Sequence, residues 1–99
     1  MKLQIGKRAQ GQAERADDWW RENRPAAPDL FARELADALT QLVSAPNAGT
    51  PYPTARRPHL RRMLLPRTEK HLYFALEREG TLLAIHAVWG ARRSRPPRL

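Results

Sequence analysis

Two apolar runs separated only by Glu79-Gly80 place the tightest constraint on this chain of 99 residues. Residues 71–78 and 81–89 are rich in β-branched, aromatic and leucine side chains, and a two-residue connection containing glycine closes such runs into a tight antiparallel hairpin. The turn dictates the register. Arg78 faces Thr81, Leu76 faces Leu83, Phe74 faces Ile85 and Leu72 faces Ala87, a set that is apolar beyond the turn and therefore the core face. The reverse face carries Tyr73 opposite His86, His71 opposite Val88 and Ala75 opposite Ala84. A slip of one residue would mix the two sets. Leu60–Leu65, broken by Pro66, supplies a third strand and completes a meander.

The first half has a different period. Lys2–Ile5 alternates as a short strand, and Gly6 punctuates it. From Lys7 onward Ala9, Ala13, Ala16 and Trp20 recur at helical spacing, with Trp19 at the edge of the stripe. Asn23-Arg24-Pro25 ends that helix, because a residue preceding proline is pushed out of the α region. A second helix starts near Ala26–Asp29; Phe31, Leu35, Ala38, Leu39 and Leu42 share one arc, with Arg33, Glu34, Asp37 and Gln41 opposite. The two helices form an antiparallel hairpin. Residues 44–59 then carry Pro46, Pro51, Pro53 and Pro58, which stiffen the connection into an ordered surface excursion.

The predicted fold is α+β: an N-terminal strand and a helix hairpin packed on one face of a small, mainly antiparallel sheet, in the order β-α-α-β-β-β. A chain this short buries one modest core, so residues 1–93 read as a single domain. Residues 94–99 read as a basic, flexible, solvated tail, and the sheet face away from the helices as open.

Charge is lopsided. The net charge is +8, and residues 55–99 carry eleven basic side chains against three acidic ones, while residues 1–54 are balanced at seven each. Fifteen of the eighteen cations are arginine, the side chain that forks onto phosphate or carboxylate. The second half is thus expected to meet nucleic acid, an acidic protein or an anionic surface. Cysteine is absent, which excludes disulfides and zinc ribbons. The chain shows no apolar targeting segment and no membrane span, so the expectation is a cytoplasmic protein.

Several chemistries lack their residues. There is no glycine-rich phosphate loop, no GxSxG and no HExxH, and three scattered histidines make no metal site; neither metal nor cofactor is expected. What remains is a basic and aromatic constellation on one sheet face: Arg61 or Arg62 from the first meander strand, His71 and Tyr73 from the second, His86 from the third, then Trp89, Arg92 and Arg93. Arginines hold phosphates, His or Tyr moves protons, and Trp stacks on bases. The set suits metal-independent RNA cleavage through the 2′-hydroxyl, and equally suits docking on an acidic protein or a DNA complex. Tyr73 and His86 also read as a cross-strand pair supporting the sheet, and Trp89 as a packing residue.

In element order, in Trp19-Trp20-Arg21-Glu22-Asn23-Arg24-Pro25-Ala26-Ala27, in Ala45-Pro46-Asn47-Ala48-Gly49, and in the segments 60–65, 71–76 and 87–93, the chain resembles the RelE/ParE superfamily of toxins from type II toxin–antitoxin systems. The resemblance implies a cytoplasmic bacterial toxin in a hetero-oligomer with a cognate, commonly acidic antitoxin. ParE-type members poison DNA gyrase; RelE-type members cleave mRNA on the ribosome. Matched to the ribonuclease branch, catalytic candidates are Arg62, His71, Tyr73, His86 and Arg92, but Ser94, Pro96 and Pro97 stand where that branch carries a C-terminal tyrosine or histidine. Matched to the ParE-like branch, which the Trp89-Gly90-Ala91-Arg92-Arg93 ending resembles more, target-binding candidates are Arg61, Trp89, Arg92 and Arg93. The resemblance thus favours a non-enzymatic gyrase poison, with a ribosome-dependent endoribonuclease as the alternative. A simple basic nucleic-acid-binding module is a third reading.

Overall fold

Helical and strand periods separate along the chain as the apolar pattern dictates. A computed structural model describes residues 1–99. The elements are β1 (Lys2–Ile5), α1 (Lys7–Asn23), α2 (Leu30–Ser44), β2 (Thr50–Pro51), β3 (Arg61–Leu65), β4 (Lys70–Glu77) and β5 (Leu82–Gly90). They form one five-stranded sheet in the order β1-β5-β4-β3-β2. β1 runs parallel to β5 and every other pairing is antiparallel. The α+β arrangement is the predicted one, with one addition: Thr50–Pro51 lies beside Arg62 and Arg61 as a two-residue edge strand inside the proline-rich connection. Proline is tolerated there because an edge strand need not donate outward.

The helices cover one face. Ala9 and Ala16 of α1 and Phe31, Ala38 and Leu42 of α2 are buried against Leu65, Leu72, Phe74, Leu83, Ile85 and Val88 of the sheet. Each fully buried leucine or phenylalanine in this cluster contributes about 1.5–3 kcal/mol relative to an exposed one. The small alanines of α1 let its backbone approach β5, where Gln12 Oε1 accepts the Val88 N–H at 2.8 Å. Leu30 begins α2 after Asp29, a few residues later than the composition suggests. No helix is long and apolar enough to cross a membrane.

The hairpin register holds from Glu77 to Phe74, whereas Arg78 and Thr81, expected to pair, belong to the turn. Glu77, Leu76, Ala75 and Phe74 face Leu82, Leu83, Ala84 and Ile85. Beyond Phe74 the prediction fails by one residue. Tyr73 pairs with Ala87, Leu72 with Val88 and His71 with Trp89, so His86 is an extra residue on β5, a β-bulge. The bulge falls where β1 ends, since β1 pairs with β5 only up to Ile85. Val88, not Ala87, therefore joins the helix-side core, and Tyr73 does not stand opposite His86.

The second sheet face is not open. Leu60, Tyr73 and Ala87 form a buried cluster there, with Tyr52, Trp89 and Leu99 packed on it. Leu60 and Tyr52 come from the proline-rich connection and Leu99 from the C-terminus. The tail expected to be solvated contributes a buried Pro97. Its anchors are isolated residues with no period, which is why the pattern of residues 94–99 gave no sign of them.

Candidate functional site

The site is built on the second sheet face, where the pleat turns Arg62 of β3, His71 and Tyr73 of β4 and Trp89 of β5 to the same side. With Tyr52, Arg93 and residues 94–96 they line a cleft of about 170 Å³. The proline-rich connection places Tyr52 against Tyr73, ring edge to ring face at 5.2 Å. The Arg62 guanidinium lies 4.8 Å over the Tyr52 ring, and the Arg93 guanidinium lies 4.2 Å over Trp89. Trp89 Nε1 donates to the Arg95 carbonyl at 2.8 Å, which draws the C-terminal segment across the cleft.

His71 sits 6.1 Å from the Tyr73 ring, roughly perpendicular to it. Burial, and then the Arg62 charge, hold its pKa below the ordinary histidine value of 6.5. It is therefore a neutral imidazole at pH 7, fit to accept a proton. Tyr73 is only 3% exposed, beneath Tyr52 and beside Leu60. The cleft thus joins cations, an imidazole and aromatic faces, a set that suits an anion or a protein hot spot.

The remaining candidates lie elsewhere, each held by a specific partner. Arg61 donates to the backbone carbonyls of Asn47, Ala48 and Gly49 at 2.7, 3.1 and 3.1 Å, so it clamps the loop after α2. Arg92 meets Glu69 with both Nε and Nη2, each at 2.8 Å. His86 Nε2 lies 2.7 Å from Glu77 Oε2, and Arg57 is 3.8 Å from the same carboxylate oxygen. The small Ala75–Ala84 pair between them leaves room for Glu77 to reach His86. The structure brings Arg62, His71, Tyr73, Trp89 and Arg93 to one cleft and leaves Arg61, His86 and Arg92 outside its lining.

Tyr52 lies outside the residues that the sequence pattern singles out. Its one signal is an aromatic residue held between two prolines, Pro51 and Pro53, in a loop that such residues stiffen.

No protein-family model and no curated protein matches the sequence. Solved structures do match the fold. A chain of the chromosomal ParDE TA system from P. aeruginosa superposes with a TM-score of 0.67 at 18% identity, covering 93% of this chain and 97% of that one. The YoeB/ParE toxin from Agrobacterium tumefaciens gives a TM-score of 0.62 at 14% identity, covering 91% of this chain and 98% of that one.

Proposed function

We propose that the chain is the toxin of a bacterial type II toxin–antitoxin system, that it acts in the cytoplasm by binding and poisoning DNA gyrase, and that a cognate acidic antitoxin neutralises it. Support for the toxin reading comes from the fold it shares, nearly end to end, with the ParDE chain and the YoeB/ParE toxin, together with the sequence resemblance described above. The +8 charge complements an acidic antitoxin and speeds its association.

One observation carries the choice of mechanism: of the five residues matched to RNA cleavage, two are held by carboxylates outside the cleft and a third is buried within it. Cleavage through a 2′-hydroxyl needs a base, an acid and positive charge converging on one phosphate. Here Arg92 is engaged by Glu69 and His86 by Glu77, while Tyr73 is buried beneath Tyr52. Of those five candidates only His71 and Arg62 remain available at the cleft. Poisoning by binding asks for no proton transfer. It needs an anchoring surface, and Trp89 with Arg93 stacked on it is of the type that dominates protein interfaces.

His71 favours a second reading, a ribosome-dependent endoribonuclease in which its neutral imidazole acts as base and Arg62 holds the phosphate. Expression in cells without an antitoxin separates the two. Gyrase poisoning gives growth arrest with DNA-damage signalling and filamentation. A rapid block of translation with mRNA cuts, abolished by Arg62→Ala, contradicts it.

A further inference from the structure

β1 leaves β5 without a strand neighbour from His86 to Gly90 on the side away from β4. Helix α1 stands there instead, held by Gln12 on the Val88 N–H. Two hollows open along this line, of about 460 and 480 Å³. They share Trp19, Lys70, Gly90 and Arg93, and so form one groove past the last turns of α1.

The groove gathers five cations and a single acid. Arg15, Arg24, Lys70, Arg92 and Arg93 line it against Glu69 alone, and Glu69 is taken by Arg92. Arg15, Arg24, Lys70 and Arg93 form no ion pair. Indoles hold two of them: Arg24 lies 5.1 Å from the Trp19 ring centre and Arg93 4.2 Å from that of Trp89. Stacking occupies the face of a guanidinium and leaves its edge donors free for an anion. Lys70 is half-buried, and burial and then Arg93 lower its pKa; an anion at that position would offset both effects. Trp19 is 46% exposed, unusual for the largest apolar side chain.

We propose that this groove binds single-stranded nucleic acid, with phosphates on Arg15, Lys70 and Arg93 and a base against Trp19. Unmatched donors beside an exposed indole form the combination that a strand with alternating phosphates and planar bases satisfies. An acidic peptide would use the charges and add no planar partner to Trp19, which Arg24 covers on one side only. A duplex keeps its bases stacked inside, away from Trp19. The groove lies on the helix side of the β5 edge, and the inference stands whether or not gyrase is the target.

The test uses the full chain and a labelled oligothymidylate of about eight nucleotides, a length within the usual single-strand site size, read by anisotropy at low salt. An oligouridylate, a hairpin duplex and a polyglutamate peptide of similar charge serve as competitors. Trp19→Ala should weaken binding roughly tenfold, as loss of one stacked base does. Arg93→Gln and Lys70→Gln should each weaken it and flatten the dependence of log K on log salt by about 0.7. Arg33→Gln, on the exposed side of α2 and paired only with Asp29, should change nothing. Melting curves confirm that each variant is folded; Arg93 is exposed, so its variant decides the matter even if Trp19→Ala unfolds. Either homopolymer bound more tightly than duplex or polyglutamate supports the proposal. Absence of binding, binding that all three groove variants leave unchanged, or a preference for duplex or polyglutamate overturns it.

Discussion

Glu34 on α2 holds Thr68 in the turn between β3 and β4 through both of that residue's donors. Its Oε1 accepts the Thr68 N–H at 2.9 Å and the Thr68 hydroxyl at 2.7 Å, while Oε2 accepts the Arg67 N–H at 2.7 Å. Thr68 is buried, at 6% exposure, so its groups have no ready replacement in water. Hydrogen bonds to a charged acceptor contribute about 1.5–3 kcal/mol each. Glu34→Ala should therefore lower unfolding stability by about 2–3 kcal/mol in urea titrations, and Thr68→Val by about 1–2 kcal/mol. A loss below about 0.5 kcal/mol for Glu34→Ala would show that the turn stands without it.

Arg61 and Gly49 make a second test of structural against functional assignment. Gly49 has φ +79°, and a Cβ there would meet the Arg62 carbonyl oxygen at 2.5 Å. Gly49→Ala should cost about 1–3 kcal/mol, and Arg61→Ala about 1–3 kcal/mol through the lost loop clamp. Chemical denaturation measures both. If Arg61 instead anchors the target, Arg61→Ala will leave stability unchanged and reduce toxicity.

The connection between β4 and β5 is a four-residue turn, Arg78 to Thr81, rather than the predicted two-residue one, with three successive residues at positive φ: Arg78 at +51°, Glu79 at +57° and Gly80 at +83°. Glutamate is a poor occupant of that region, and asparagine adopts it more readily. Glu79→Asn should raise stability by about 0.5–1 kcal/mol, seen as a higher melting temperature with no change in toxicity. A lower melting temperature would contradict the turn assignment.

Much of this fold is written in period. The alanine stripe of α1, the apolar arc of α2 and the alternation around Glu79-Gly80 all appear in the structure where their spacing puts them. What the pattern does not carry is the bulge at His86, because it arises where the neighbouring strand β1 runs out rather than from any residue in β5. Nor does it carry the covered second face, whose cluster draws in Tyr52 and Leu99, single residues from segments without period, and Leu60 just ahead of β3. The site was legible only in part for the same reason. Arg62, His71, Tyr73 and Trp89 follow from strand alternation, whereas the Glu77 contact of His86 and the Glu69 pair of Arg92 depend on the bulge and on a turn whose geometry no spacing rule specifies.

His71 makes the pH dependence specific. Its folded pKa lies below 6.5, by burial first and by Arg62 second. Between that depressed value and 6.5 the unfolded chain binds the proton and the folded chain does not. The stability contributed by this group is therefore complete above pH 6.5 and lost as the pH falls through the folded value. An NMR titration of the His71 ring should show a midpoint below 6.5, and Arg62→Gln should raise it part of the way back. A midpoint above 6.5 would place His71 beside a carboxylate that the structure does not put there.

The C-terminal strap gives a prediction of its own. Leu99 packs on the cluster of Leu60, Tyr73 and Ala87, Trp89 Nε1 holds the Arg95 carbonyl, and Arg8 reaches the Arg98 carbonyl at 3.4 Å. Leu99→Asp should lower stability by about 1–2 kcal/mol and make the Trp89 indole proton exchange faster with solvent. An unchanged exchange rate would mean that Leu99 is not what seats the strap.

The target is tested most directly by a gyrase reaction with the purified chain, supercoiled plasmid and ATP, scored for trapped double-strand cleavage. Linear DNA that accumulates with the wild-type chain, falls with Trp89→Ala and Arg93→Ala, and disappears when the cognate antitoxin is added is the predicted result. No linear DNA, from a preparation shown to arrest growth, would contradict the gyrase assignment and move the activity to the Arg62–His71 cleft.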